Sequence, residues 1–599
     1  MRKVLLTIWG LACAVGLTAQ WNSKENLRVT IDGIMDFEAQ TNKDGITFVG
    51  FWDLVAEDPA KQGNRYSDDS DIAYYLQILD KGGNKLFPDN GRLVSHEPSR
   101  SFSMGDDKAI FTDSDGNALY IVKDERNWNN GNYPNQGYFV YKVSPSGQFL
   151  WDEPLDLDKG YAYYMVANIK VIELADGSYI FAHDIYLDGG YLSYITIDKV
   201  SKDGKFLWNE PLLLTNNLFS YSFPFLVDAG YGNFVIVYSK SPGYQMYAQK
   251  FDFDKGSVWS SPLPIYSGGF TGNASPFTAV EVISDQKGGC FVSWYDDRYN
   301  SKYEKAYVSH ILPNGTQGFV TSNGEEGLRL SWNPYVRAFR PSLCYDPVGE
   351  ILYAAWEEDD SDQIFRSIVL QKISKNGKLF WTNSLIKEDN TNGLVLDSRW
   401  LPESVGYYTI QLAGEGKIAV FHQHDYSSGN SAENIATLFD VSGEQPQQLN
   451  EKLIFAEKGK SKAGLLSLPL FDNNYFLTFW SDFRTSTLSN GAAVFAHKVL
   501  LDDFETTAIR FPETGSNSRF EIISDKANGT VDFVLDSSRQ GNATLEIYSV
   551  TGQKATRIQS KVQAGENVIS WNVQHLPASV YVAKLTTLNG VQVKQFIVK

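Results

Sequence analysis

Between about Leu27 and Glu505 the apolar positions fall into short runs of four or five residues. Each run is led by Gly or Asn and is often closed by an aromatic residue and an acid. The pattern is written as Gly45-Ile-Thr-Phe-Val-Gly-Phe-Trp-Asp53, Gly116-Asn-Ala-Leu-Tyr-Ile-Val-Lys-Asp124, Gly177-Ser-Tyr-Ile-Phe-Ala-His-Asp184 and Gly232-Asn-Phe-Val-Ile-Val-Tyr238. It returns at Gly289 to Asp296, Gly349 to Glu357, Gly416 to Asp425 and Asn474 to Asp482, which makes eight copies. Runs this short, bounded by turn formers and rich in β-branched and aromatic residues, predict strands. A second clause follows each copy: a strand, a Gly turn and often a Trp. Tyr141 to Trp151, Ile197 to Trp208, Tyr247 to Trp259 and Leu370 to Trp381 are its fullest forms. Weaker copies lie at Leu76 to Phe87, Val308 to Phe319 and Thr437 to Gly443, and the eighth, Phe495 to Val499, lacks the Gly turn. An apolar strand precedes the first clause, as at Ser222 to Val227, and a fourth follows the Trp, as at Glu210 to Leu214.

Four short strands repeated about every sixty residues predict an all-β chain folded as a β-propeller. A single blade cannot bury both of its faces, whereas blades stacked in a ring bury them all and leave only short edges. Eight copies predict eight blades, or seven if the first and last copies share a blade to close the ring. The innermost strand is expected to be near-continuously apolar because it is covered on both sides, and the recurrent Trp to wedge between neighbouring blades.

After about Ser516 the pattern changes to one small module that runs to the C-terminus. Its pieces are Thr544 to Gln553, Ala564 to Trp571, Leu576 to Ala583 and Val593 to Lys599, alternating runs bounded by Gly, Asn or Pro. The order Tyr548-x-x-x-Gly552, Gly565-x-Asn567-x-Ile569, Leu576-Pro577-x-x-Val580-Tyr581 and a last strand ending in Lys599 resembles the type A C-terminal sorting domain of cargo of the type IX secretion system of Bacteroidetes. Ser579 stands where that family usually has Gly. The resemblance implies a small β-sandwich handled by the type IX machinery and its sortase, with cleavage and a lipopolysaccharide anchor as the family's common outcome. The propeller repeat in turn resembles bacterial exported propellers with a Trp-x-Asp-x-Arg blade, carried here by Trp294 to Arg298 and by Trp480-Ser-Asp-Phe-Arg484.

The N-terminus fits export. Met1-Arg-Lys3 is basic, Val4 to Gly16 is apolar but too short to span a bilayer, and Leu17-Thr-Ala-Gln20 offers cleavage after Ala19. A lipoprotein anchor at Cys13 is the rival, with a poor lipobox before it. The organisation expected is a signal peptide over 1–19, a propeller over 20–510, a linker over 511–518 and a sorting domain over 519–599. The route expected is Sec-dependent passage to the periplasm, then secretion or attachment at the outer surface, with no transmembrane segment.

Composition narrows the partners. A net charge of −18 argues against nucleic acid and against anionic membrane, since both need clustered Lys and Arg. Of three cysteines, Cys13 leaves with the signal. Cys290 and Cys344 sit in apolar strand contexts, where a disulfide and two small buried hydrophobes are both open readings.

Candidate chemistry is sparse. Asp124, Glu125 and Arg126, Asp296, Asp297 and Arg298, and Asp482 and Arg484 close three clauses. They form either a carboxylate rim for a cation or sugar, or turn-capping acids paired with Arg, and their repetition favours the second. The acid-rich segments Ser67 to Asp71, Asp113 to Gly116 and Glu357 to Asp362 would suit calcium but lack a full calcium-loop order. No cofactor is otherwise expected. His422 and His424, two apart on one strand face, are either a metal or acid–base pair or stand-ins for the Trp of other copies. The aromatic loops are the clearest departure from the repeat: Trp128, Tyr133 and Tyr138 amid Asn and Gln, and Tyr161, Tyr163 and Tyr164. Such rings suit sugar or protein surfaces. No nucleophile elbow, zinc-protease helix or phosphate loop is present. The function expected is an exported propeller that binds a protein or glycan; the alternatives are a hydrolase or lyase acting on polysaccharide or peptide, and a structural component of the cell surface.

Overall fold

Each of the eight clauses becomes the second strand of its own antiparallel sheet. In the computed structural model residues 26–598 are described, apart from internal stretches of which the longer are 57–69, 98–107, 127–135, 160–164, 187–191, 268–280, 299–302, 382–392, 427–430, 485–491, 507–519 and 574–578. The chain divides into two compact units between Thr507 and Ala508. In the first unit, blades 1 to 7 start at Ile34, Lys108, Met165, Ser220, Glu281, Arg337 and Ser404, each with strands ordered inner, second, third and outer as in the sequence; blade 7 adds a fifth strand, Leu453–Ala456. Blade 8 supplies three strands, Lys462–Ser467, Tyr475–Asp482 and Ala493–Leu500. Its outer strand is Leu27–Arg28 from the other end of the unit. The ring therefore has eight blades, and it is the eighth that is shared between the two ends.

Eight apolar cores, one at each seam between neighbouring blades, hold the ring. The closing seam packs Leu27, Val29, Phe37, Val49 and Phe51 against Leu477, Phe479 and Val494. The near-continuous apolar run belongs to the second strand, not the innermost. Tyr179–Tyr186 and Ile351–Asp359 are buried almost throughout, whereas the inner strands Met165–Glu173 and Arg337–Asp346 are buried only at intervals. The second strand has a sheet neighbour on each edge and a blade on each face; the inner strand borders the channel along one edge.

That free edge carries unpaired backbone groups, which must find partners. Side chains from the preceding blade supply them. Glu38 and Gln40 accept from the Ile110 and Thr112 amides, Asp184 from the Phe223 amide, and Glu281 from the Leu343 amide, at 2.8–3.1 Å. Five inner strands also carry a bulge at the same place, and the residue in it is left-handed: Asn168, Phe223, Arg340, Tyr407 and Gly464, with φ between 45° and 63°. For the four that carry a side chain, this conformation costs on the order of 1 kcal/mol or more each.

The Trp of the second clause does wedge between blades. Trp151 Nε1 donates to the Lys202 carbonyl at 3.1 Å, Trp208 to Phe253 at 3.1 Å and Trp259 to Pro313 at 3.0 Å, each in the next blade. The indoles of Trp151 and Trp259 lie where Gly204 and Gly315 of the next blade's turn would carry a Cβ, within 2.9 Å, and both glycines have φ above 70°. The repeated Gly is thus fixed twice, by turn geometry and by the neighbour's Trp. Cys290 and Cys344 are unbonded and lie in different blades and different cores. Burial pushes the Cys344 thiol up to about 12 and the Cys290 thiol further, as for small buried hydrophobes.

The first unit ends in a short helix, Leu501–Thr506, whose Asp503 accepts from the Leu500 amide. The second unit is a β-sandwich of a three-stranded and a four-stranded sheet, from Phe520 to Val598. Phe533, Leu545, Ile547, Ile569, Tyr581 and Phe596 form its core.

Candidate functional site

The two ends of the ring differ. Inner-to-second connections are tight, such as Asp113 to Gly116, and the third strand of blade 2 leaves through a tight turn, Ser144 to Gly147, both closed by backbone hydrogen bonds of 2.8–2.9 Å; the third-to-outer connections Ile311 to Leu328 and Ser374 to Leu394 are longer in sequence. Antiparallel order places the other connections at the opposite end. Those are long in sequence: Ala56 to Ser70, Ser95 to Lys108, Asp124 to Gly137, Tyr266 to Glu281 and Asp482 to Ala493. In propellers such an end is where side chains are free to vary without disturbing the core. A shallow cleft of about 410 Å³ sits at the tight-turn end, lined by Val258 to Pro264, Asn314 and Gly315, with no titratable side chain.

The acids that close the clauses are structural. Trp294 Nε1 donates to Asp296 and Trp480 Nε1 to Asp482, both at 2.9 Å, and Arg298 and Arg484 embrace the same carboxylates. The Arg298 guanidinium lies 4.0 Å from the Tyr307 ring centre and that of Arg484 4.3 Å from Phe495. Asp124 and Arg126 repeat the pair in blade 2, with Arg126 over Phe139. Burial raises the Asp482 pKa, but hydrogen bonds from Arg484 and Trp480 and the Lys462 charge together bring it below the usual value. The acid-rich turn at Asp113 is likewise spent on protein partners: Asn117 N, Tyr179 and Lys142. Among the described residues no three His, Cys, Asp or Glu side chains gather as metal ligands would.

Register places His422 at the Trp position. It stands opposite the inner-strand bulge of blade 7, as Trp356 and Trp480 do in blades 6 and 8 and His183 does in blade 3. His424 then occupies the position of Asp482 and Glu358. The two histidines face the same side, as two-residue spacing requires, and each finds its own acid. His422 Nε2 lies 3.2 Å from Asp397, and His424 Nε2 lies 3.1 Å from Glu403. His183 repeats the arrangement with Asp158 at 2.9 Å. Burial lowers the pKa of His422 and, with the nearby Arg399, that of His424. Blade 7 has exchanged a buried acid held by Arg for a buried imidazole held by carboxylates.

Of the aromatic candidates, Trp128, Tyr133, Tyr161, Tyr163 and Tyr164 lie outside the described residues. Tyr138 is fully buried on the third strand of blade 2, edge-on to His183, so it belongs to the core and not to a loop. The flanks of the two aromatic loops are tied together: Asp158 Oδ2 accepts from the Tyr138 amide at 2.9 Å while its Oδ1 meets His183. Sequence reading missed Asp158, whose only signal is its distance of twenty-five residues from His183, the same as Asp397 from His422.

Glu281, on the inner strand of blade 5, is pushed up to about 7 by burial, against the opposing hydrogen bonds from Leu343 N and Ser342. A carboxyl raised in the folded state stabilises below its unfolded pKa, and that contribution is lost as pH rises through the folded value. Glu281→Gln should therefore melt like the parent near pH 4 and gain about 2–3 kcal/mol over it above pH 8, read as the pH dependence of urea midpoints.

In the second unit the quoted motif has a physical basis. Gly565 has φ of 99°, Asn567 closes the turn by bonding Gln563 N and O and Gly565 O at 2.8 Å, and Ile569 is buried. Tyr581 stacks on Phe596, and Tyr548 sits half-buried on its strand. Gly552, Leu576, Pro577 and Lys599 lie outside the described residues.

Residues 527–599 match the family described as secretion system C-terminal sorting domain. No curated protein matches the chain. Among solved structures the chain is similar to a Penicillium chrysogenum α-L-arabinanase complexed with arabinobiose, at 14% identity over 65% of this chain and 92% of that one, with a TM-score of 0.31. It is similar also to a polysaccharide lyase, at 10% identity over 82% and 94% with a TM-score of 0.40. A fungal alcohol oxidase in complex with copper matches at 9% identity over 96% and 100%, with a TM-score of 0.36. Likenesses this loose carry no argument about activity. No helix among the described residues is long and apolar enough to cross a membrane. The chain is cargo of the type IX secretion system, an eight-bladed propeller whose C-terminal sorting domain marks it for export and for secretion or attachment at the surface.

Proposed function

We propose that the propeller is a binding module that takes a glycan or protein ligand at its long-loop end. The observation that carries this reading is where the aromatic-rich connections fall. The second-to-third connection of blade 2 and the connection from blade 2 to blade 3, the two segments rich in Trp, Tyr and Asn, belong to the same end of the ring. Trp128 and Tyr133 are the anchors we assign to the connection of blade 2, with Tyr161, Tyr163 and Tyr164 assigned from the next connection in the chain; Asp158 ties the described flanks of the two. Aromatic rings with polar neighbours give area and orientation together. Asp124, Asp296 and Asp482 are each engaged by Arg within their own blade, which supports the binding reading over the hydrolase or lyase reading. The route we assign is Sec export, type IX passage, sortase cleavage near 511–518 and lipopolysaccharide attachment.

A glycan and protein array probed with the secreted protein tests this. A specific hit is expected, weakened at least about tenfold when Trp128 and Tyr133 are both replaced by Ala, with unchanged melting. A folded protein with no hit would move the assignment to polysaccharide and peptide hydrolysis screens.

A further inference from the structure

We propose that the central channel carries a binding collar for a glycan bearing a carboxylate, built from side chains held on the inner-strand bulges. The inference deepens the binding reading above and rests on it, but it uses none of the loop residues. Bulges at the same register in blades 3, 4, 6, 7 and 8 put Asn168, Phe223, Arg340, Tyr407 and Gly464 in the left-handed region. Gly464 shows that the backbone needs no side chain there. Asn168 tolerates the conformation and donates its amide to Asp184, but Phe223, Arg340 and Tyr407 are kept there against their own backbone preference. Where packing does not account for such a side chain, the strain points to its use.

Packing does not account for two of them. Tyr407 is 54% exposed and Arg340 is exposed, although both lie in the middle of innermost strands. At that place an exposed side chain opens onto the channel. The two belong to adjacent blades, and the Tyr408 hydroxyl bonds the Arg340 carbonyl across the seam, which fixes the bulges relative to each other. The Arg340 guanidinium forms no ion pair among the described residues, whereas Arg337 and Arg366 beside it are paired with Asp359 and Glu357. The Arg340 guanidinium lies 5.7 Å from the Phe339 ring centre and its charge reaches Glu357, but no protein carboxylate among the described residues takes its donor fork in an ion pair, and a carboxylate is the group that matches that fork in a bidentate manner. The rest of the collar is the Tyr407 phenol, the Phe223 ring and the Asn168 carbonyl oxygen, the Asn168 amide nitrogen being bonded to Asp184; a phenol and rings suit hydroxyls and the apolar face of a sugar. A net charge of −18 disfavours a polyanion such as an acidic peptide, so the partner is mostly neutral with an isolated carboxylate.

The test uses the full secreted chain and two probes, a xylo-oligosaccharide bearing a single glucuronate and the same oligosaccharide without it. The parent is expected to prefer the charged probe at least about tenfold in Kd by calorimetry. Arg340→Gly should abolish that preference with a melting temperature equal to the parent's or higher, because the backbone strain is relieved. Arg340→Asn, which copies the residue blade 3 uses at this site, should do the same and guards against a folding defect in the first variant. Tyr407→Gly should weaken both probes. Equal binding of the two probes by the parent, a preference that survives both Arg340 variants, or tighter binding of a polyglutamate peptide would each overturn the collar. If the array hit persists and is lost only with Trp128 and Tyr133, the collar falls and the loop reading stands. If the glucuronate preference persists in that loop variant, the loop assignment falls instead.

Discussion

A chain that starts at Asp32 should lose on the order of 5 kcal/mol of stability or fail to accumulate as a folded monomer. The removed segment is short, but it closes the ring. Leu27 and Arg28 pair with Ala496 and Phe495, the Val29 amide donates to the Val494 carbonyl at 2.8 Å, and Thr30 Oγ1 accepts from the Val494 amide at 2.9 Å. Val29 and Thr30 are fully buried, and Leu27 nearly so. Without them the strand Ala493–Leu500 becomes an open edge, and the seam between blades 8 and 1 loses part of its core. Chemical denaturation of the truncated and full chains measures the loss. Thr30→Val is the graded control: it removes the two hydrogen bonds of the hydroxyl, from the Val494 amide and to the Ile31 carbonyl, and leaves the strand, so about 1–2 kcal/mol is expected. If the truncated chain unfolds at the parent's midpoint, the ring is held by the other seams and the N-terminal strand is ornamental. The mature protein begins close to this strand if cleavage follows Ala19, so the same experiment bounds how far processing can trim the chain.

The propeller was legible because its second strand announces itself. A run such as Gly289 to Asp296 is apolar on both faces, flanked by turn residues, and repeated. The second clause was legible for a different reason, the coupling of a Gly turn to the preceding blade's Trp, which Gly204 and Trp151 make concrete. His422 could be read as a stand-in for Trp from alignment of the copies alone, and the register agrees. Other features leave little trace in the pattern. A left-handed residue is suggested by Gly or Asn, but Phe223, Arg340 and Tyr407 carry no such mark. Closure by Leu27–Arg28 is a contact over more than four hundred residues, made by a two-residue run too short to recognise. Tyr138 was misplaced because Asn, Pro, Gln and Gly precede it, and the strand begins at Gly137, one residue earlier than the aromatic pattern indicates. In the sorting domain the Gly565 and Asn567 turn was legible as a motif, and the structure adds its cause.

Asp482→Ala should cost about 3–5 kcal/mol, more than any other single substitution considered for this ring. The carboxylate is fully buried and holds three donors at once, namely Trp480 Nε1, the Arg484 guanidinium and the Arg484 amide, with Lys462 Nζ 3.8 Å away. Its removal leaves the Arg484 guanidinium and the Trp480 indole without their acceptor and Lys462, still bonded to the Ala432 carbonyl, without its counter-charge, and an uncompensated buried charge is what makes such changes expensive. Asp482→Asn retains part of the acceptor geometry and should cost less, so the difference between the two variants isolates the charge. The pH dependence has a definite sign: because the folded pKa lies below the usual 3.8, the contribution is present above that value and is lost as pH falls through the folded pKa. The Ala variant and the parent should therefore converge in stability in strong acid and diverge above pH 4. The same substitution at Asp296 in blade 5 should reproduce the loss, since Trp294 and Arg298 hold it in the same way. Calcium added to the parent should leave the urea midpoint unmoved if these acids serve the blade alone. A midpoint that rises with calcium in the parent and not in Asp482→Ala would return the clause-end acids to a cation site, and with them the reading of the long-loop end as a carboxylate rim.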